Sequence, residues 1–372
     1  MLQNYNILNK EDFRYQIAFS QLKGIGPVRA TQLHAKLPSL ESFFQLSKKE
    51  LRFELGLTDL MIKELNRQEA LDLADEQLAF NERHNIQTHF FLEESYPRRL
   101  KQCADSPIVV FSKGQVDLNS LKMVSVVGTR NITPYGQKII HELIQSLKGL
   151  DVVVVSGLAY GVDILVHQLC VENNIPTIGV LGHGLDRIYP HKHRKTAAQM
   201  QENGALLTEF LIKTNPDREN FPMRNRIVAG MSDATIVVES KQKGGSIITA
   251  ELANDYNRDV FAFPGDIDRP YSEGCNWLIK KQKAHLITSS DDFLTFMNWK
   301  HEKPKVKSPS LFVELSEQDR KVVNVVIEER EVHADVIAMK TGLSPSMINV
   351  VLFNLEMQNI VRQVPGKRFT LA

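Results

Sequence analysis

Between residues 123 and 266 the chain repeatedly runs a short apolar stretch into a polar loop that carries glycine. The apolar runs Ile108–Phe111, Met123–Val127, Val152–Val155, Thr177–Leu181, Ala205–Thr208, Thr235–Glu239 and Val260–Phe263 have strand length and β-branched content. Between them, Pro134–Leu147, Val162–Asn173, Lys195–Asn203, Arg224–Met231 and Ile247–Tyr256 have helical spacing. Buried strands alternating with helices predict an α/β, Rossmann-like, doubly wound and mostly parallel sheet. Thr133-Pro134 supplies a capping hydroxyl and a first-turn proline at one helix start.

Two further patterns flank this region. Residues 10–100 lack strand signals and place Leu51, Leu55, Leu57, Met61, Leu65 and Leu71 at helical intervals, which predicts a helical N-terminal domain over 1–104. Its Leu22-Lys23-Gly24-Ile25-Gly26-Pro27 turn has the form of a helix–hairpin–helix. Such a turn can offer backbone N–H groups to a DNA phosphate, but with only Lys23 and Arg29 nearby a structural role is favoured. The stretch 300–310 holds four lysines and two prolines and reads as a linker between an α/β domain at 105–299 and a domain at 311–372. Helices at Glu317–Glu328, His333–Lys340 and Ser344–Gln358, then a hairpin of Ile360–Val364 and Arg368–Leu371, form a C-terminal winged helix. The third helix has no Lys or Arg and carries Glu356, a poor composition for reading a major groove.

Composition narrows the class. The 372 residues are 42% hydrophobic and 24% charged, enough for two or three domains of an ordinary soluble protein. The net charge of +1 gives no bulk argument for nucleic acid or membrane, so any basic surface must come from local clustering. Cys103, Cys170 and Cys275 lie far apart without a CxxC pair, which fits free thiols in a reducing cytoplasm. No apolar run reaches the ~20 residues of a membrane span.

Ligands of an open parallel sheet bind at the carboxyl ends of its strands. The strands deliver to that edge Gly128-Thr129-Arg130, Ser156-Gly157, a basic stretch around Lys192, Arg224-Asn225-Arg226, and Lys241 with Lys243-Gly244-Gly245-Ser246. Glycines permit close approach, helix starts offer unpaired N–H groups, and the cations supply charge, so the edge reads as a phosphate or polyanion site. G-x-x-x-x-G-K-[ST] is absent, and Gly128-Thr129-Arg130-Asn131-Ile132-Thr133 is no G-x-G-x-x-G, so neither a P-loop ATPase nor a dinucleotide cofactor is supported. No metal-ligand spacing and no catalytic constellation stands out. Asp163 with His167, the histidines 183, 191 and 193, and Asp266 with Asp268 are more simply helix caps, buried rings and turns.

The ordered motifs resemble DNA-processing protein A, the DprA/Smf family. They are Gly128 to Gly136 (GTRNITPYG), Val155 to His167 (VSGLAYGVDILVH), Gly179 to Pro190 (GVLGHGLDRIYP), Glu209-Phe210 and Phe221 to Gly230 (FPMRNRIVAG). Val237 to Ala250, Val260 to Asp266 and Ser272 to Ile279 complete them. The resemblance spans the central domain and fits the flanking ones. It implies a single-stranded DNA-binding recombination mediator without enzymatic activity or cofactor. Such a protein is cytoplasmic, dimeric through its Rossmann-like domain, and loads a RecA-type recombinase in recombination and natural transformation. Carried over by position, the DNA backbone would meet Gly128-Thr129-Arg130, Ser156-Gly157 and Lys243-Gly244-Gly245-Ser246, with Arg224-Asn225-Arg226 and Lys192 close by. Phe210 and Phe221 are the stacking candidates, with a core role favoured for each. The alternative is an enzyme similar to nucleotide phosphoribohydrolases, whose P-G-G-x-G-T-x-x-E signature Gly244-Gly245-Ser246 to Glu251 echoes without its proline and third glycine.

Overall fold

The computed structural model describes residues 10–300 and 316–371, apart from Arg330, Asn359 and Pro365. Beyond Lys300, the expected linker lies outside the described residues. The chain divides into two compact units, residues 1–299 and 300–372.

The first unit is built on nine strands among the described residues. They are β1 (Gln87–Phe90), β2 (Val109–Gly114), β3 (Met123–Val127), β4 (Val153–Ser156), β5 (Thr177–Val180), β6 (Ala205–Thr208), β7 (Ala234–Val237), β8 (Asp259–Ala262) and β9 (His285–Leu286). Their order is β1-β2-β6-β5-β4-β3-β7-β8-β9. From β6 to β9 every pairing is parallel, while β2 runs antiparallel to β6 and to β1. The chain winds outward from β3 through β4, β5 and β6, then restarts on the other side of β3 with β7. The crevice between β3 and β7 is therefore the topological switch point, where this class of sheet receives ligands.

Alternation along β3 shows why the sheet is buried on both faces. Val124 and Val126 point to a core with Ile140, Leu143 and Ile144 of the helix Pro134–Leu147 and with Phe261 and Phe293. Met123 and Val127 point to a second core shared with the N-terminal helices through Ile17, Phe19, Phe43 and Leu51. Those helices span Lys10–Ser20, Pro27–His34, Leu40–Gln45, Lys48–Phe53, Asp59–Glu64 and Arg67–His84. Ser39, Ser47 and Thr58 cap three of them, Ser47 in a reciprocal capping box with Glu50. Arg99 clamps this segment to the sheet: its guanidinium forks onto Asp233 at 2.6 and 2.9 Å, and Asp233 also accepts the Met123 N–H.

In this unit the structure corrects the sequence reading at three places. Strand β1 falls inside a stretch read as free of strands. Its Gln-Thr-His-Phe pattern is too short and polar to show, and it forms only by pairing with β2, Phe90 opposite Val109. Strand β9 has two residues and is likewise a product of pairing. The helix expected from Arg224 begins at Asn220, so Phe221 and Arg224 share one face.

In the second unit the helices Glu317–Glu329, Ala334–Thr341 and Pro345–Met357 pack with a three-stranded sheet of β10 (Glu331–His333), β11 (Val361–Val364) and β12 (Arg368–Leu371). Residues 331–333 thus form a strand where the helix was expected to begin at His333. The third helix exposes Met347, Val350, Phe353 and Met357, an uncharged stripe on the surface where a winged helix would meet duplex DNA. No single helix among the described residues is long and apolar enough to cross a membrane.

Phe261 is fully buried, with Phe293 and Phe296 edge-on at ring separations of 5.2 and 5.1 Å. Phe261→Ala should cost about 3–5 kcal/mol. It should appear as a lower urea midpoint with an unchanged slope; a loss under 1 kcal/mol would contradict this packing.

Candidate functional site

At the switch point the two helix starts differ. After β3, the loop leading to Pro134–Leu147 has its N–H groups at Thr129, Asn131, Thr133 and Gly136 met from within. The Thr129 N–H donates to the Glu239 carbonyl at 2.7 Å, and the Asn131 N–H to the Thr129 hydroxyl at 3.1 Å. The Thr133 N–H and hydroxyl both donate to the Glu239 carboxylate, at 2.9 and 2.6 Å. Thr133 in turn caps Gly136 N–H. Glu239, buried just past the end of β7, thus places its carboxylate where many Rossmann folds hold a phosphate at the first helix start. Of the N–H groups expected to be bare at Gly128-Thr129-Arg130, that of Thr129 is thus taken by the protein itself. What this loop presents outward is the exposed Arg130 side chain.

The other helix start is open. Gly244 donates to the Lys241 carbonyl at 2.9 Å, and the Ser246 hydroxyl turns inward to Ser240 at 2.7 Å. The N–H groups of Gly245 and Ser246, at the head of Gly245–Asp255, donate to no group among the described residues. A Cβ on Gly245 would meet nothing, so the approach is clear. Lys241 and Lys243 are exposed beside it.

Arg224 explains the glycines after β4. It is buried, donates to the Val180 carbonyl at 3.0 Å and lies 4.0 Å from the Asp163 carboxylate. A Cβ at Gly157 would collide with its guanidinium and with Asp163. Gly161 takes φ of +78° where its loop crosses the Thr129 carbonyl. Burial raises the Asp163 carboxyl above its ordinary range, Arg224 countering part of this, and burial lowers the Arg224 guanidinium. Ser156 is also committed inward, its hydroxyl donating to the Val126 carbonyl at 2.7 Å. Arg226 points away from the site, paired with Glu209 and the Asp105 carbonyl. Of the expected backbone contacts, Ser156, Gly157, Arg224 and Arg226 are therefore parts of the frame, with only Arg224 also lining the pocket described next.

A pocket opens beside this frame, walled by Arg130, Tyr160, Tyr189, Phe221 and Arg224. Tyr160 and Tyr189 are about half exposed, at 45% and 50%. The Arg130 guanidinium sits 5.7 Å over the Phe221 ring. Lys192 is exposed on the short turn His191–His193 that follows Tyr189-Pro190. From the pocket the helix Asn220–Gly230 leads to Asn225, whose amide donates to the Gly245 carbonyl at 3.4 Å. Beyond lies Lys241, 5.4 Å over the Tyr271 ring, with Asn131 donating to the Tyr271 hydroxyl at 3.1 Å. The edge thus alternates cations with aromatic faces around one open helix start. The sequence places Tyr160 and Tyr189 in the edge loops without marking them as stacking faces, and Tyr271 shows only in the structure, although each is a tyrosine beside a glycine or proline in a loop at the strands' carboxyl end. Phe210 is half buried and does not line the pocket.

The histidines are structural. His167 is fully buried, with Nε2 2.6 Å from the Gly157 carbonyl and Nδ1 2.8 Å from the Thr177 hydroxyl, so neither nitrogen is free for a metal. His193 lies 2.8 Å from the Leu158 carbonyl through Nδ1, under the Tyr160 ring. His183 accepts the Tyr189 N–H at 3.3 Å and shapes the loop that carries that ring.

A doubly wound sheet with a basic, aromatic edge at its switch point, joined to a winged helix, defines a class of protein, and comparison with known proteins sharpens it. Residues 87–298 match the family model described as DNA recombination-mediator protein A, and residues 307–367 match the DprA winged helix domain. The chain belongs to the DprA/Smf family. It is 31% identical to Protein Smf of a Synechocystis species, over 95% of this chain and 98% of that one. It is 39% identical to DNA processing protein DprA of Streptococcus pneumoniae, over 55% of this chain and 71% of the relative. The X-ray structure of Streptococcus pneumoniae DprA superposes with a TM-score of 0.65 at 31% identity, covering 77% of this chain and 97% of that one. DNA processing protein A of Helicobacter pylori, solved to show its single-stranded DNA binding mode, gives a TM-score of 0.52 at 29% identity. It covers 57% of this chain and 95% of that one.

Burial lowers His167 and His89 from the ordinary value near 6.5 to about 4. Both are neutral in the fold, whereas the unfolded chain takes up protons below 6.5. Their contribution to stability is therefore full above pH 6.5 and declines as the pH falls toward 4. Urea unfolding at pH 7 and pH 5 should differ by roughly 2 kcal/mol per histidine. Buried carboxyls raised by desolvation, such as Asp163 and Glu209, act in the opposite sense, so the imidazoles are followed directly by NMR; titration of His167 near 6.5 would contradict the buried neutral rings.

Proposed function

We propose that this chain binds single-stranded DNA along the carboxyl edge of its sheet and serves as a recombination mediator that loads a RecA-type recombinase. The observation that carries this reading is the alternation of exposed cations with aromatic faces around an open helix start. Arg130, Lys192, Lys241 and Lys243 are exposed cations for backbone phosphates, and the Gly245 and Ser246 N–H groups add a fixed partial charge. Tyr160, Tyr189 and Phe221 offer faces on which unpaired bases stack, each worth about 1–3 kcal/mol. Bases in a duplex are already stacked on each other, so this edge favours a single strand. The Helicobacter pylori relative's single-stranded DNA binding mode supports the same assignment. Dimerisation through the α/β domain and a non-catalytic role complete the proposal.

Fluorescence anisotropy with an oligothymidylate and a duplex of equal length, at two salt concentrations, tests the reading. The single strand should bind more tightly, and affinity should fall steeply with salt. Arg130→Ala and Lys243→Ala should each weaken binding to any sequence and reduce the salt slope by about 0.7. Equal affinity for duplex and single strand would overturn the proposal.

A further inference from the structure

The helix Arg67–His84 buries two amides in mid-helix, Gln77 and Asn81, at positions where apolar residues would ordinarily face a core. Buried amides persist where their hydrogen bonds are made. The Gln77 carbonyl oxygen accepts the Ile212 N–H at 2.7 Å, and its NH2 donates to Asn81 Oδ1 at 2.7 Å. Asn81 donates in turn to the Thr88 hydroxyl of β1 at 3.1 Å. The residue before Gln77, Glu76, pairs with Lys213.

Ile212 and Lys213 lie in the loop 209–219, which joins β6 to the helix bearing Phe221, Arg224 and Asn225. This loop is laced to the loop 182–190, which carries Tyr189. Gly184 N–H meets the Thr214 carbonyl at 3.4 Å, and Lys213 N–H meets Asp186 Oδ1 at 3.2 Å. Arg187 meets Asn215 Oδ1 at 2.6 Å, and the Thr208 hydroxyl meets the His183 carbonyl at 2.9 Å. Lys213 itself takes φ of +67°, an unfavourable backbone for a side-chain-bearing residue, held by bonds on both sides. Two walls of the pocket, at Tyr189 and Phe221, thus hang from one loop pair whose outer anchor is a glutamine of the N-terminal helices.

We propose that Gln77 is a positioning residue for the ligand edge: by fixing the loop 209–219 it sets the spacing of Tyr189 and Phe221, and so couples the N-terminal helical segment to the stacking of bases. This rests on the single-strand reading above. It touches no ligand itself, so its loss should alter stacking without altering phosphate contacts.

Gln77→Met keeps the side chain's length and removes both hydrogen bonds. Hydrogen exchange on the full chain should show amides of 210–217 exchanging roughly five- to tenfold faster, with Pro134–Leu147 unchanged. An oligothymidylate carrying 2-aminopurine should bind about three- to tenfold more weakly and with less quenching, at an unchanged salt slope. Unaltered exchange in 210–217 would overturn the proposal, as would faster exchange with full affinity and quenching. A reduced salt slope would assign the effect to lost phosphate contacts and would overturn it too. Should Gln77→Met fail to fold, Lys213→Ala, which removes an exposed ion pair, should shift exchange and quenching in the same direction to a smaller degree; no shift would be refutation. If the wild-type chain binds no single strand, the functional reading fails, and the exchange measurement still decides whether Gln77 holds the loop.

Discussion

The Glu239 carboxylate is the contact on which the arrangement of the ligand edge depends. It stands where the order of the strands reverses, and it satisfies the start of Pro134–Leu147 through Thr133. A helix start can serve a phosphate or a carboxylate, and one that is filled from the protein's own strand is closed to ligand. The neighbouring start at Gly245 carries no such partner among the described residues. An otherwise ordinary doubly wound fold is thereby turned from a nucleotide cradle into an edge with one open helix end and a row of side chains.

The buried charges near that edge serve geometry. Arg224 and Asp163 are both taken out of water, at a cost that their pairing repays only in part. Their return is a rigid corner: Arg224 fills the space left by Gly157, ties to the Val180 carbonyl, and leaves its helix neighbours Phe221 and Asn225 facing the pocket and the Gly245 loop. The exposed cations then lie on loops braced from behind, which limits the entropy lost when a flexible polyanion is held.

Much of this was legible in the sequence. The strand runs of five or so apolar residues gave seven of the sheet's strands, β2 to β8, since a strand buried on both faces leaves an unmistakable apolar block. Polar edge strands such as β1 left no such block, and the three-residue β10 merged with the helix after it. At the site, residue type marked the edge but could not say which way a side chain points. Arg130 and Arg226 look alike in sequence, yet one is exposed and the other neutralises Glu209. Serines behaved likewise, for Ser156 and Ser246 spend their hydroxyls on Val126 and Ser240. Glu239 carried a signal that could have been used: a lone acid ending an apolar strand at a basic edge needs a buried partner.

The central claim is that polyanion enters by the Gly245 side of the switch point and not by the Glu239 side. Hydrogen exchange of the full chain with and without a saturating oligothymidylate tests it most directly. The account predicts protection of the amides at 243–247, with those of Thr129, Thr133 and Gly136 unchanged because their donors are already held by Glu239 and Thr133. Protection at 133–136 with none at 243–247 would contradict it.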